Sequence, residues 1–273
     1  MKKSVIISVL VCFQFIFSGS FAQSLTEEWR LIKISSEYSE SNPNTSEYLY
    51  DKAGKLQTIN YYYNNNYGKK WDGSAVKDFV YNKEGRITGF TKYDETGNLQ
   101  YILDYDQQNR LIYKKISKLK KSGGTEKDGR VTDIVKYTYK GNEIIESRTV
   151  PPSEKVADET TYTMNERGNV IRMERTDMTT KKKDKYVSGD FDKRPNPNVF
   201  TGAYFYTAIQ SKENGKEGHW EGMNAPEKTE SDYNAIGLVK KTLITEKIDK
   251  NFTTSKYTYT YAKIKPAAKP GLK

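Results

Sequence analysis

One short pattern recurs along the chain and limits its folding more than any other feature. One or two aromatic residues precede Asp or Asn, two further residues, Gly, a polar residue and an aliphatic one. It reads Tyr48-Leu49-Tyr50-Asp51-Lys52-Ala53-Gly54-Lys55-Leu56, then Phe79-Val80-Tyr81-Asn82-Lys83-Glu84-Gly85-Arg86-Ile87. Further copies run from Tyr93-Asp94 through Gly97 to Leu99 and from Tyr105-Asp106 to Leu111. Two more run from Tyr162 through Asn165 and Gly168 to Val170, and from Tyr233-Asn234 through Gly237 to Val239. An Asp or Asn side chain can accept hydrogen bonds from the backbone just after it, and Gly supplies a positive φ that other residues resist. Together they predict a type I turn with a glycine bulge, hence β-hairpins.

Around the turns the residues alternate. Tyr93, Leu99, Tyr101, Leu103, Tyr105, Leu111 and Tyr113 share one parity, and Gln100, Asp104, Gln108, Arg110 and Lys114 the other. A period of two means strands with one apolar, aromatic-rich face. Asn82, Asp94 and Asp106 are spaced twelve apart, which leaves roughly seven or eight residues per strand, an ordinary length. The fold class expected is all-β, an antiparallel meander forming a curved single sheet or a partly open barrel. At Asn109 the turn glycine is replaced by Asn, a residue tolerant of the left-handed region. Lys140-Gly141-Asn142-Glu143 predicts a shorter turn. Residues 61–75, 114–130 and 176–228 break the spacing and are expected to be longer loops or extended hairpins.

These turns resemble the Tyr-Asp-x-x-Gly-x-Leu repeat of the YD-repeat proteins, the group that includes Rhs proteins and teneurins. The run Asp190-Phe191-Asp192-Lys193-Arg194-Pro195-Asn196-Pro197 resembles one in secreted YD-like proteins of Bacteroidetes-type bacteria, among them families described as porin-like in fold. The resemblance covers about residues 45–261. It implies a fold and carries no catalytic motif, and the copies here are fewer and less regular than those of the long Rhs shells.

Met1-Lys2-Lys3, the apolar run Val5 to Phe17, and Ser20-Phe21-Ala22 form the three parts of a secretory signal peptide, with cleavage expected after Ala22. Export would place the protein in the periplasm or at the surface of a Gram-negative, Bacteroidetes-like bacterium. The single cysteine, Cys12, falls within that segment, so disulfide and thiol chemistry are not expected downstream. Residues 23–262 read as one β domain, and 263–273 as a basic, Pro/Ala-rich tail expected to be disordered. The formal charge of +10 falls to +8 without Lys2 and Lys3. The lysine clusters at 114–121 and 181–185 lie in the insertions and read as solvated loop tips and guarded strand edges, so no nucleic-acid partner is expected. A membrane-inserted barrel is disfavoured, because the strands are rich in Tyr, Thr and Lys and show no lipid-facing band.

Chemical motifs are scarce. His219 is the sole histidine, so with no cysteine beside it the usual metal constellations fail, and no cofactor or metal is expected. No Gly-x-Ser-x-Gly elbow accompanies it. Of the 35 acidic residues, Glu217, Glu221 and Glu227 fall in one insertion, where two carboxylates could serve glycoside hydrolysis. Aromatic residues remain: Tyr61, Tyr63 and Trp71, then Tyr204, Tyr206 and Trp220, which suit stacking against sugar rings or enclosing an apolar ligand. The function expected is non-enzymatic binding of a glycan, lipid or envelope component by a Tyr-rich sheet. A structural or adhesive module pairing with an envelope protein and a polysaccharide hydrolase are the alternatives.

Overall fold

A computed structural model describes residues 29–38, 44–65, 68–94, 97–119, 129–197, 211–221, 227–248 and 251–263. The signal segment, the tail beyond Lys263, Tyr204 and Tyr206 lie outside them. The strands are β1 (Trp29–Tyr38), β2 (Asn44–Tyr50), β3 (Leu56–Asn65), β4 (Gly68–Tyr81), β5 (Ile87–Tyr93) and β6 (Asn98–Tyr105). Then follow β7 (Leu111–Leu119), β8 (Arg130–Lys140), β9 (Glu143–Thr149), β10 (Val156–Met164), β11 (Val170–Asp177) and β12 (Lys183–Ser188). Last come β13 (Phe191–Pro195), β14 (Glu213–Gly215), β15 (Glu217–Trp220), β16 (Glu227–Tyr233), β17 (Val239–Ile248) and β18 (Asn251–Lys263).

All but β13 and β14 form one closed barrel in which each strand is antiparallel to its neighbours. The all-β antiparallel meander is as expected, but the sequence reading of a curved single sheet or partly open barrel is corrected, because the barrel is closed. β18 returns to β1 from Trp29↔Lys263 to Tyr38↔Ser255. Closure removes two rows of unpaired backbone donors and acceptors that an open sheet would expose. Only 35% of the residues are hydrophobic, which suits a wide ring that needs only one lined face. Of the insertions, 61–75 is mostly the long β3–β4 hairpin, and β7 continues to Leu119.

The repeat turns form as their residues require. Asp51 Oδ1 accepts from Ala53 N and Lys55 N at 2.8 Å, and Gly54, Gly85, Gly168 and Gly237 have φ between 78° and 80°. Asn109 takes the glycine's place at φ 63°. Gly97 differs, at φ 138°, outside the narrow range of its counterparts. The turns at Asp51, Asn82, Asp106, Asn165 and Asn234 follow even-numbered strands and so share one end of the barrel, whereas the Asp94–Gly97 turn lies at the other.

Register separates the two faces. Leu99, Tyr101, Leu103 and Tyr105 point inward with Phe90, Ile116 and Leu111, and Leu103 and Phe90 are fully buried. Tyr93 and Tyr113, expected on that face, are turned outward. Lys92 pairs with Leu99, which leaves Tyr93 on the opposite face, and a bulge at Ile112 aligns Tyr113 with Asp104. The inner core gathers Leu56, Ile59, Val76, Ile87, Val135, Tyr137 and Ile144 as well. The outer face is charged: Lys33 lies beside Glu47, Asp232 beside Lys241, and Glu37 bonds Lys256 at 2.8 Å.

Four hairpins are laced to the strand or hairpin before them. The tyrosine preceding the turn donates its hydroxyl to the carbonyl near the start of the previous hairpin's odd strand. The pairs are Tyr50 to Leu31 (2.8 Å), Tyr81 to Leu56 (2.5 Å), Tyr105 to Ile87 (2.8 Å) and Tyr139 to Leu111 (2.9 Å). In the opposite sense, the cation after Gly54, Gly85 or Asn109 covers the next hairpin's tyrosine. Lys55 lies over Tyr81 at 5.1 Å, Arg86 over Tyr105 at 5.6 Å and Arg110 over Tyr139 at 4.3 Å.

Candidate ligand-binding cavity

Of the five Asp/Asn turns that share one end of the barrel, those at Asn165 and Asn234 lack this cation, and both mark the same region. Where the other hairpins carry Lys55, Arg86 and Arg110, the Asn165 turn has Asn169 and the Asn234 turn has Leu238, both fully buried. A polar amide and an apolar side chain at a position that otherwise holds a solvated cation require something to cover them. Leu238 packs on Leu31 beside the barrel seam. Asn169 is covered by the segment between β12 and β15, which leaves the barrel wall as the β13–β14 hairpin while β12 and β15 pair directly behind it.

The hairpin is held by specific contacts. Asn169 Nδ2 donates to Glu213 Oε2 at 2.8 Å, and its Oδ1 accepts from Glu213 N at 2.9 Å. Arg167 lies 3.1 Å from the same carboxylate, and Val170 N donates to Ser211 Oγ at 3.0 Å. On the other flank Arg194 stacks over Tyr233 at 5.5 Å, the relation Arg110 has with Tyr139. The Asp190-to-Pro197 run thus supplies the missing cation of a hairpin turn from outside the barrel wall. Burial raises the Asp192 carboxyl above its ordinary value, against lowering by the Arg194 amide, Asn214 and nearby cations.

Beneath the hairpin lies a cavity of about 340 Å³. Its barrel side is formed by inward residues: Tyr186 and Ser188 of β12, Glu227, Thr229 and Ser231 of β16, Thr242 of β17 and Tyr259 of β18. Phe191, Glu213 and Asn214 complete it from the hairpin, and the exposed Glu217, first residue of β15 and paired with Lys228, also borders it. Tyr186 reaches across β15 because Gly218 leaves room; a Cβ there would stand 1.9 Å from the phenolic oxygen. Burial raises the Tyr186 hydroxyl pKa first, and the Glu227 charge adds to it. Tyr259 is raised by burial, partly offset by a hydrogen bond with Thr242.

The structure divides the residues singled out in the sequence. Trp220 stands edge-on to Tyr186, ring centroids 5.4 Å apart, and so flanks the cavity. Tyr61 is on the inner face of β3, packed against the apolar core. Tyr63 pairs with Lys70 across the β3–β4 hairpin and Trp71 with Tyr62, on strands remote in order from β12 and β16. His219 pairs with Val187 on the outer face, turned away from the cavity. Glu217 and Glu227 line the cavity; Glu221 binds Lys185 at 3.4 Å. Sequence reasoning missed Asn169, Ser188, Ser231, Thr242 and Tyr259. The departures at Asn169 and Leu238 from the repeat's cation were the signal that could have found the region.

A second polar cluster lines the wall elsewhere. Arg148 bonds Asp133 at 2.7 Å and Asp158 at 2.8 Å, and Arg175 reaches Asp158 at 3.4 Å. Burial pulls the nearby Lys114 ammonium down, with Glu146 and Asp133 opposing. Here the cations and carboxylates satisfy one another.

No family model matches the chain, and no curated protein matches it, so the likeness of its turns to YD repeats gains no support from a family match. Among solved structures the chain is similar to a porin-like protein from Bacteroides uniformis ATCC 8492, with 14% identity over 85% of this chain and 98% of that one, TM-score 0.43. It is also similar to a porin-like protein from Bacteroides vulgatus ATCC 8482, with 11% identity over 85% and 98% of the two chains, TM-score 0.49. A third, the TcdB2-TccC3-TEV structure, is 12% identical over 81% of this chain and 14% of that one, TM-score 0.32. The first two bear the porin-like description that the Asp190-to-Pro197 run led us to expect. None of the three says anything of this chain's ligand.

Proposed function

We propose that the protein is a non-enzymatic binding protein of the bacterial envelope that works in water and holds a small polyhydroxylated ligand, a glycan fragment, inside the barrel. One observation carries this reading: the cavity under β13–β14 combines hydroxyls of Ser188, Thr229, Ser231 and Thr242 with the rings of Tyr186, Phe191 and Tyr259. Convergent polar groups between ring faces suit a sugar, which offers hydroxyls at its edge and C–H groups on its faces. The charged outer face supports the aqueous setting, since a lysine or arginine on the lipid side of a membrane barrel costs about 2–4 kcal/mol at mid-depth.

The test is a panel of neutral and charged mono- and oligosaccharides, read by calorimetry and by the fluorescence of Trp220 beside Tyr186. Saturable binding that weakens in Ser231→Val and in Phe191→Ala is the expected outcome. Absence of binding across the panel would sink the reading. A second reading, glycoside hydrolysis, is favoured by Glu217 and Glu227 lining one cavity. It would be established by product formation that disappears in Glu217→Gln or Glu227→Gln.

A further inference from the structure

We infer that the cavity is entered through the barrel wall, past a hinged gate formed by residues 189–197 and 211–216. This rests on the reading of the cavity as a ligand site, and not on the ligand's being a sugar. The first ground is pairing. β12 and β15 pair at Tyr186↔Trp220, Val187↔His219 and Ser188↔Gly218. The same register runs on through Gly189 N, which donates to Glu217 O at 2.8 Å, and Lys216 N, which donates to Asp190 O at 2.8 Å, to Phe191↔Gly215. From β12 to β15 the chain is therefore one two-stranded ribbon, of which only β12 and β15 belong to the wall. β11 pairs with β12 only from Arg172 to Thr176, and β16 with β15 only at Glu227 and Lys228, although β16 runs on to Tyr233. Beside the Asn165 and Asn234 turns the wall thus has a window, and β13–β14 lies across it.

The second ground is how that half of the ribbon is fastened. The contacts that hold it run through side chains: the Asn169–Glu213 pair, Arg167 on Glu213, Ser211 Oγ on Val170 N, and Arg194 over Tyr233. Its buried apolar residues are Phe191 and Pro197. A segment with few buried apolar contacts opens locally at lower free energy than strands inside a sheet. Hinges are commonly a few residues at the ends of elements. Gly189, Asp190 and Lys216, all exposed, stand where the ribbon leaves the wall. Turning there releases the side-chain fastenings, keeps the ribbon's own rungs, and uncovers Ser231 and Thr242 of the cavity.

Thiol labelling without any ligand tests this, so its failure and that of the saccharide reading are distinguishable. Cys12→Ser removes the chain's one cysteine, Thr242→Cys places a thiol in the cavity, and its reaction with N-ethylmaleimide is timed by intact mass. The thiol should react far more slowly than a free one. Asn169→Ala removes two hydrogen bonds made only by the docked ribbon, and should speed labelling at least about tenfold. Gly85→Val, on strands remote in order from the window, should leave the rate unchanged. Equal acceleration by both would mean that the whole fold opens, and a cavity thiol as fast as a free one that no gate exists. Either result overturns the inference, as does unchanged labelling in Asn169→Ala. Hydrogen exchange of the unaltered chain gives a second reading that needs no cysteine variant to fold. The Val170 and Glu213 amides bond across the gate and should share one opening constant, whereas the Asn196 amide bonds Lys212 O within the ribbon at 2.9 Å and should stay better protected. Asn196 opening as readily as Glu213 would show a ribbon that frays instead of swinging, and would overturn the inference.

Discussion

Gly85 isolates backbone conformation from packing. Its φ is +79°, and a Cβ there would meet nothing within 4 Å, so a substitution is penalised by the left-handed conformation alone. Gly85→Val should lower stability by about 1–3 kcal/mol, the scale of local backbone strain. Gly85→Asn should cost clearly less, since Asn109 already occupies the equivalent position at φ 63°. Thermal and urea unfolding of the two variants checks this, and equal losses would contradict the assignment. Gly97 would be a poorer choice, because a Cβ there stands 2.9 Å from Lys118 Cε and mixes strain with collision. This much was legible in the sequence, since a turn's Asp or Asn and Gly act within five residues of each other. The outward turn of Tyr93 and Tyr113 was not legible, because it depends on which residue of the neighbouring strand stands opposite.

Between elements, the hairpins are joined by a hydroxyl passed backward and a cation passed forward, in addition to the backbone ladder. The Arg110–Tyr139 contact is the closest of the forward set, at 4.3 Å, and Arg110 also bonds Asp106 at 2.7 Å. A double-mutant cycle with Arg110→Ala and Tyr139→Leu should give a favourable coupling of about 0.5–1 kcal/mol, as expected for an exposed cation over a ring. A coupling near zero would mean that the stacking contributes nothing to stability. The meander and its turns could be read from spacing. The docking of β13–β14 could not, because the contacts that hold it join Asn169 to Glu213 and Arg194 to Tyr233. Ser188, Thr229, Ser231 and Thr242 resemble any other strand hydroxyls until the ring brings them together. Trp220 came from the sequence because aromatic residues in an irregular insertion stand out, but the same reasoning chose Tyr61, which the barrel uses for packing.

For the molecule as a whole, inward tyrosines set the upper limit of pH stability. Burial raises Tyr48 and Tyr81 from 10.0 to about 12, with Tyr259 and Asp51 respectively adding to it, and burial chiefly pushes Tyr50, Tyr137, Tyr162 and Tyr261 higher still. A tyrosine whose pKa is raised on folding stabilises the fold fully while the unfolded chain is still protonated. That contribution is lost as pH rises from 10 towards the folded value. Stability should therefore be level below pH 10 with respect to these groups and fall steeply between pH 10 and about 12. Tyrosinate absorbance should appear together with loss of β circular dichroism. Smooth ionisation of all the tyrosines near pH 10 with the fold intact would contradict the buried placement. The seam adds a different consequence. Trp29 and Lys263 face each other across β1 and β18, so the wall is a cycle of hairpins in which the peptide chain merely chooses a starting point. A circular permutant that links these two strands with a short loop and opens the chain at another hairpin would retain every rung of the ladder except those lost at the new cut.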